Sequence, residues 1–258
     1  MGWDPDRALL VRPPIPGATA ALAALLRAVD GLRSLDELQP LATAAGLGSR
    51  GLDQLLAELV DAGLVDWAPP PGTAVRPVAA LHGQGPLTEA LADGLRAAGV
   101  DIRRSDGREP VRRGAGADVV VLTDCLVVDP CVVSELVGAG SPHLPVLLRD
   151  GVGMVGPLVL PGRSSCLRCA DLHRSDRDPE WPALAAQLFG RVGYGSAAAV
   201  RATAGLALGE VEHLLRGGAG GEPAPGSLGA TLELDLRHGT LRRRPWPPHP
   251  RCGCGTHR

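Results

Sequence analysis

The stretch Pro161-Gly-Arg-Ser-Ser-Cys-Leu-Arg-Cys169 closes on two cysteines three positions apart, and the chain returns to the same chemistry at His249-Pro-Arg-Cys-Gly-Cys254. A short spacing lets each pair grip one ion from a tight turn. Four thiolates about one centre make the closed tetrahedral set of structural zinc, with no position left for water. Cys166, Cys169, Cys252 and Cys254 are therefore the expected metal ligands, and structural Zn²⁺ the expected cofactor. The two pairs tie the middle of the chain to its far end. Cys125 and Cys131 fall in an apolar region and read as core residues.

Composition narrows the class. The chain has 258 residues, enough for one large domain or a large one and a small one. Hydrophobic residues make up 45% and aromatic residues only 2%, so the core must be built from Leu, Val and Ala. A net charge of -2 argues against a bulk nucleic-acid or anionic-membrane partner. No apolar run reaches transmembrane length, and the start lacks the basic-then-apolar pattern of a signal peptide. A cytoplasmic protein is expected, and in a reducing compartment clustered cysteines favour metal over disulfides. All 26 basic residues are Arg. Any mechanism that needs a lysine at a phosphate or in a Schiff base is excluded.

Residues 1–67 read as a small helical domain. Ala8–Arg12 is a short strand candidate stopped by Pro13-Pro14, and Thr19–Val29 is helical. Ser34 with Glu37 offers a capping box for a second helix that Pro40 kinks or breaks. A third helix runs from Ser49 to Ala62, with Leu52, Leu55, Leu56 and Leu59 at helical spacing. Leu64–Trp67 follows as a strand, completing a winged-helix pattern. Residues 68–76 form a Pro-rich linker. From residue 77 to 258 strands alternate with helices, which predicts a parallel, Rossmann-type α/β sheet covered on both faces. The strands expected are Pro77–Leu81, Val100–Arg103, Ala117–Leu122, Leu144–Leu148, Met154–Leu160 and Leu228–Asp235. The helices expected are Leu87–Ala98, Cys131–Gly140 and Ser196–Arg216, the last apolar enough to offer a homodimer contact.

Other motifs carry less. Gly83-Gln-Gly85-Pro86 lies between a strand and a helix, where a nucleotide loop belongs. Its third glycine is replaced by Thr88 and Pro86 removes a donor, so a tight turn is the preferred reading. Asp124 at the end of Ala117–Leu122 is open to two readings: a ligand or Mg²⁺ contact at the crevice, or capping shared with Asp129. The charged stretch from Asp171 to Pro182 reads as a solvated loop anchored by Trp181, or as a partner surface. Arg242–Arg244 with Trp246 could touch an acidic partner. The histidines are scattered. The winged helix suggests DNA, but residues 1–67 hold 5 Arg against 9 Asp and Glu, a balance of 5 − 9 = −4, the wrong sign for phosphate. A peptide-binding domain that adds a strand at its edge fits better.

From Val78 onward the order of elements resembles the ThiF-like, ubiquitin-activating-type adenylyltransferase fold. The matching pieces are the Gly83–Gly85 loop, Thr123-Asp124, Gly153-Met-Val-Gly156-Pro, the Cys166–Cys169 turn and the terminal Cys252-Gly-Cys254. Arg174, Asp178-Pro-Glu-Trp-Pro182 and Gln187-Leu188 look more specifically like the partner proteins of azoline-forming YcaO cyclodehydratases in ribosomal peptide biosynthesis. That resemblance implies a winged-helix element that binds the precursor's leader peptide. The binding edge would be Ala8, Leu10 and Arg12, beside Leu52, Leu55 and Leu59 of the third helix. Arg174, Asp178 and Trp181 would form a partner surface. This chain begins at what corresponds to the third strand of such an element.

The departures shape the activity. Active adenylyltransferases place a Gly-rich loop, Arg and Lys around ATP; here the loop is degraded and Lys is absent. No cysteine lies between Cys169 and Cys252 to act as a nucleophile. The resemblance implies a non-catalytic scaffold that presents a leader peptide to a YcaO-type enzyme. The alternatives are an adenylyltransferase using Arg for Lys with Asp124 on Mg²⁺, and a zinc-containing winged-helix DNA-binding regulator.

Overall fold

The computed structural model describes residues 9–65, 76–105, 116–216 and 224–254. They fall into two compact units that divide between Val75 and Arg76.

The first unit packs three helices, α1 (Thr19–Ala28), α2 (Leu35–Ala44) and α3 (Ser49–Asp61). The capping box that opens α2 is present: the Glu37 N–H donates to Ser34 Oγ, and the Ser34 N–H donates to Glu37 Oε2 at 2.8 Å. Pro40 sits inside α2 without ending it. The core is leucine, as the scarcity of aromatics requires: Leu22, Leu25, Leu38, Leu52, Leu55, Leu56 and Leu59. The expected flanking strands are not seen among the described residues. Leu9–Arg12 and Leu64–Val65 belong to no strand, while Ala8, Asp66 and Trp67 lie outside the described residues. Leu9 and Val11 still pack on the helical core while Leu10 points out, 76% exposed. That alternation is the period of extended chain.

The second unit is a seven-stranded mixed sheet in the order β2-β1-β3-β4-β5-β6-β7. Its strands are β1 (Val78–His82), β2 (Asp101–Ser105), β3 (Val119–Thr123), β4 (His143–Arg149), β5 (Val152–Val155), β6 (Ala230–Asp235) and β7 (Thr240–Pro245). The first four are parallel and the last three run antiparallel to their neighbours. Pro157, which has no N–H, follows β5, and the strand expected to reach Leu160 stops short. The residues of β3 show why both faces are covered. Val119 and Val121 pack with α4 (Pro86–Ala97) and α8 (Ala197–Arg216). Val120 and Leu122 point the other way, towards α5 (Pro130–Gly138) and α6 (Leu167–Arg177).

Three elements differ from expectation. The charged stretch from Asp171 is not a loop: it is most of α6, followed by α7 (Trp181–Leu188). Its helical periodicity was invisible because α6 buries only Leu167, Cys169 and Ala170 and is held largely by polar contacts. The arginine run is part of β7, an edge strand with little burial on either face. Helix α8 buries Ala199, Thr203, Ala204, Ala207 and Val211 against its own sheet, so much of the proposed homodimer face is already used.

Candidate functional site

Strand order reverses between β1 and β3, and the crevice at their C-terminal ends is where an open α/β sheet places a ligand. Here β1 delivers Gly83 and Gly85, β3 delivers Thr123 and Asp124, and the N-terminus of α4 faces them. Asp124 has a left-handed backbone, φ 67°, and is 1% exposed. Its carboxylate accepts hydrogen bonds from the Leu87 N–H at 3.1 Å, the Thr88 N–H at 3.0 Å and Thr88 Oγ1 at 2.7 Å. These are the orphan donors of a helix start, the ones a phosphate would otherwise satisfy. Of the two roles open for Asp124, capping is the one its contacts make, and Asp129 caps α5 through the Cys131 N–H.

The two glycines serve the same approach. A Cβ on Gly83 would lie 2.2 Å from the Thr123 carbonyl oxygen, and one on Gly85 would lie 2.5 Å from the Asp124 carboxyl carbon. Both residues have positive φ. The loop is thus glycine-rich so that β3 and its carboxylate can come close. Thr88, standing where a third glycine was expected, also bonds Thr123 Oγ1 at 2.7 Å. The cavity left at this end of the sheet is about 110 Å³, lined by His82, Leu122, Cys125, Asp129 and Phe189 among others. Ligand pockets for drug-sized molecules run from roughly 300 Å³ upward.

The four cysteines converge on the opposite face. Cys166 is the N-cap of α6 and Cys169 lies in its first turn. Cys252 and Cys254 approach from the far end of the chain. The Sγ separations are 3.8 Å for Cys166–Cys169, 3.5 Å for Cys166–Cys252 and 3.6 Å for Cys169–Cys254. A tetrahedron with zinc–thiolate bonds of about 2.3 Å has edges of about 3.8 Å. The donor set fits a metal ion, and the separations are far beyond the ~2.05 Å of a disulfide. Burial pushes the Cys166 thiol well up from its ordinary value, and pushes that of Cys252 up to about 11. A divalent cation at their centre would draw the thiols to thiolates. Neither of the other two cysteines is a core residue as expected: Cys125 is half-buried and lines the small cavity, and Cys131 is exposed on the first turn of α5.

The histidines are less scattered than their spacing suggested. His173, Asp176 and His249 come together beside the cysteines. The sequence signal was proximity to the cysteine pairs: His173 lies four residues and Asp176 seven after Cys169, and His249 three before Cys252.

The expected partner surface is a stack. The Arg174 guanidinium lies 5.2 Å from the Trp181 ring centroid and 4.7 Å from that of Trp246, and it pairs with Asp171. Arg149 covers Trp181 at 6.0 Å, and burial draws its guanidinium down from the ordinary value. Asp178 is exposed and accepts the Glu180 N–H. Trp246 is buried and donates to Thr231 Oγ1, so it serves the core rather than a partner. In the first unit Leu10 and Arg12 are exposed, but Leu52, Leu55 and Leu59 are buried core residues and offer no open contact surface.

No family model matches the sequence, and no curated protein matches it. Solved structures do match in fold. A heterocyclase in complex with substrate and cofactor aligns with a TM-score of 0.62 at 18% identity, over 91% of this chain and 35% of that one. The heterocyclase TruD aligns with a TM-score of 0.58 at 19% identity, over 88% and 37%. The microcin C7 biosynthetic enzyme MccB, in complex with N-formylated MccA, gives 0.53 at 13% identity over 69% and 67%. This chain spans about a third of the length of the heterocyclases it matches. Its fold is the one that the heterocyclases and MccB share, as the order of elements implied.

Proposed function

We propose that this protein is a non-catalytic scaffold that binds a precursor leader peptide and presents it to a YcaO-type cyclodehydratase, with the four cysteines holding structural zinc. The observation that carries the first half is the Asp124 carboxylate on the start of α4. It fills the anion position of the crevice with the chain's own charge, and no lysine is available to bind a phosphate there. The three-helix unit, with the exposed edge of Leu10 and Arg12, is where the peptide would add as a strand. Its acidic balance suits a peptide partner better than DNA. Two fold neighbours were solved with a substrate or peptide bound, which supports the same reading.

Fluorescence anisotropy with a labelled leader peptide tests this. Saturable binding, alone or with the partner enzyme, is expected; no binding in either setting refutes it. The second reading, an ATP-dependent adenylyltransferase, draws on MccB having been solved with ATP. ATP–pyrophosphate exchange that Asp124→Asn abolishes would favour it.

A further inference from the structure

Cys169, His173 and Asp176 lie four and seven residues along α6, one stripe on a helix of 3.6 residues per turn. Residues 247–254 run along that stripe in a fixed register. His173 Nε2–H donates to the Pro247 carbonyl at 3.0 Å. The backbone N–H of His249 donates to Cys169 Sγ at 3.4 Å, and its imidazole reaches Asp176 at 2.8 Å. The Arg251 guanidinium pairs with the same carboxylate, while the Arg251 N–H donates to His249 Nδ1 at 3.1 Å. An accepting Nδ1 leaves the ring proton on Nε2, facing Asp176. The Cys252 N–H then donates to the His249 carbonyl at 2.8 Å, so the turn that carries the second cysteine pair starts at this histidine.

We propose that His249, Asp176 and Arg251 form a latch that docks Cys252 and Cys254 in register on α6, and thereby sets how tightly the zinc is held. This rests on the zinc assignment above and adds where its affinity comes from. Outer-shell partners of this kind fix the geometry of the ligands they support, and losing them costs roughly 10–100-fold in metal affinity. The ligand atoms of His173, Asp176 and His249 also lie within 4.8 Å of one another, the spacing of a metal site. Their hydrogen bonds favour the latch. Each imidazole Nε2 already faces a protein acceptor, and an arginine cation occupies the carboxylate a second metal would need.

The test uses the full chain and zinc alone. Zinc content is counted, and affinity is read by competition with a chromophoric chelator, for wild type, Asp176→Ala, His249→Ala and His249→Gln. The latch predicts one zinc per chain throughout, affinity lower by about 10–100-fold in the two alanine variants, and partial recovery in His249→Gln, whose amide can still donate to Asp176. Alanine variants within twofold of wild type overturn the latch and leave the zinc assignment standing. Two zincs on the wild type, falling to one in His249→Ala, overturn it in favour of a second metal centre. A wild-type chain that takes no zinc overturns the zinc assignment and the latch together. Should His249→Ala fail to fold, Asp176→Ala, with its half-exposed side chain, still decides.

Discussion

Replacing Asp124 with alanine removes one buried carboxylate and strands three donors: the N–H groups of Leu87 and Thr88 and the hydroxyl of Thr88. Each buried donor left without a partner costs about 1–3 kcal/mol. Alanine also tolerates the left-handed backbone at φ 67° less well than aspartate, by a fraction of the ~1–2 kcal/mol that conformation costs. Against this, the desolvation of the buried charge is relieved, and Thr88 can turn its hydroxyl to Thr123 alone. The net expectation is a loss of about 3 kcal/mol, or roughly 6–12 °C in Tm for a unit of this size. Asparagine keeps one acceptor and accepts the backbone, so about 1–2 kcal/mol is expected there. Urea denaturation followed by tryptophan fluorescence measures both. A second arm reads the vacated position directly. The alanine variant should gain stability from sulfate or phosphate more than wild type does, because an empty helix start takes an anion. An alanine variant within about 0.5 kcal/mol of wild type would refute the claim that this carboxylate organises the crevice.

Cys166→Ser should release the metal and lower the unfolding temperature, since structural zinc contributes folding free energy directly; metal analysis with a thermal melt checks it. Acidification should release the same metal, because protons compete for thiolates whose neutral form burial already favours, and a chelating dye reports the onset. Ser34→Ala should cost about 1 kcal/mol through the lost capping box, measured by urea denaturation. The carboxyl of Glu37 is held below its ordinary value of 4.5 chiefly by Ser34. That contribution is present above the ordinary carboxylate range and lost as pH falls through the lowered folded value, so wild type and Ser34→Ala should converge in acid. Leu10→Asp, at an exposed position, should leave stability within about 0.5 kcal/mol while weakening leader-peptide binding; Leu59→Ala should cost about 2–5 kcal/mol because it empties the helical core.

The elements that could be read from the chain were those built on an apolar stripe. Leu52, Leu55 and Leu59 marked α3, and the unbroken Val119–Leu122 run marked a strand covered on both faces. The convergence of the four cysteines was legible because thiols at such spacings have few other uses. What escaped was held by polar chemistry. Helix α6 hid because its buried residues, Leu167, Cys169 and Ala170, all lie in its first turn and the charged remainder shows no long apolar stripe. Strand β7 hid because an edge strand needs no alternation. The role of Asp124 could be narrowed to two options but not chosen, since the donors it caps lie 36 and 37 residues earlier in the chain.

Cys166 and Cys252 meet across 86 residues, and α7, α8, β6 and β7 all lie inside the ring they close. On a ribosome adding roughly 5–20 residues per second, the first two thiols wait about 4–17 s for the second two. During that interval they are a bare dithiol at a helix start, open to oxidants and to whichever soft ion arrives first. If these thiols hold a metal, its correct capture is a matter of timing as well as affinity, and a reducing milieu would guard them until then.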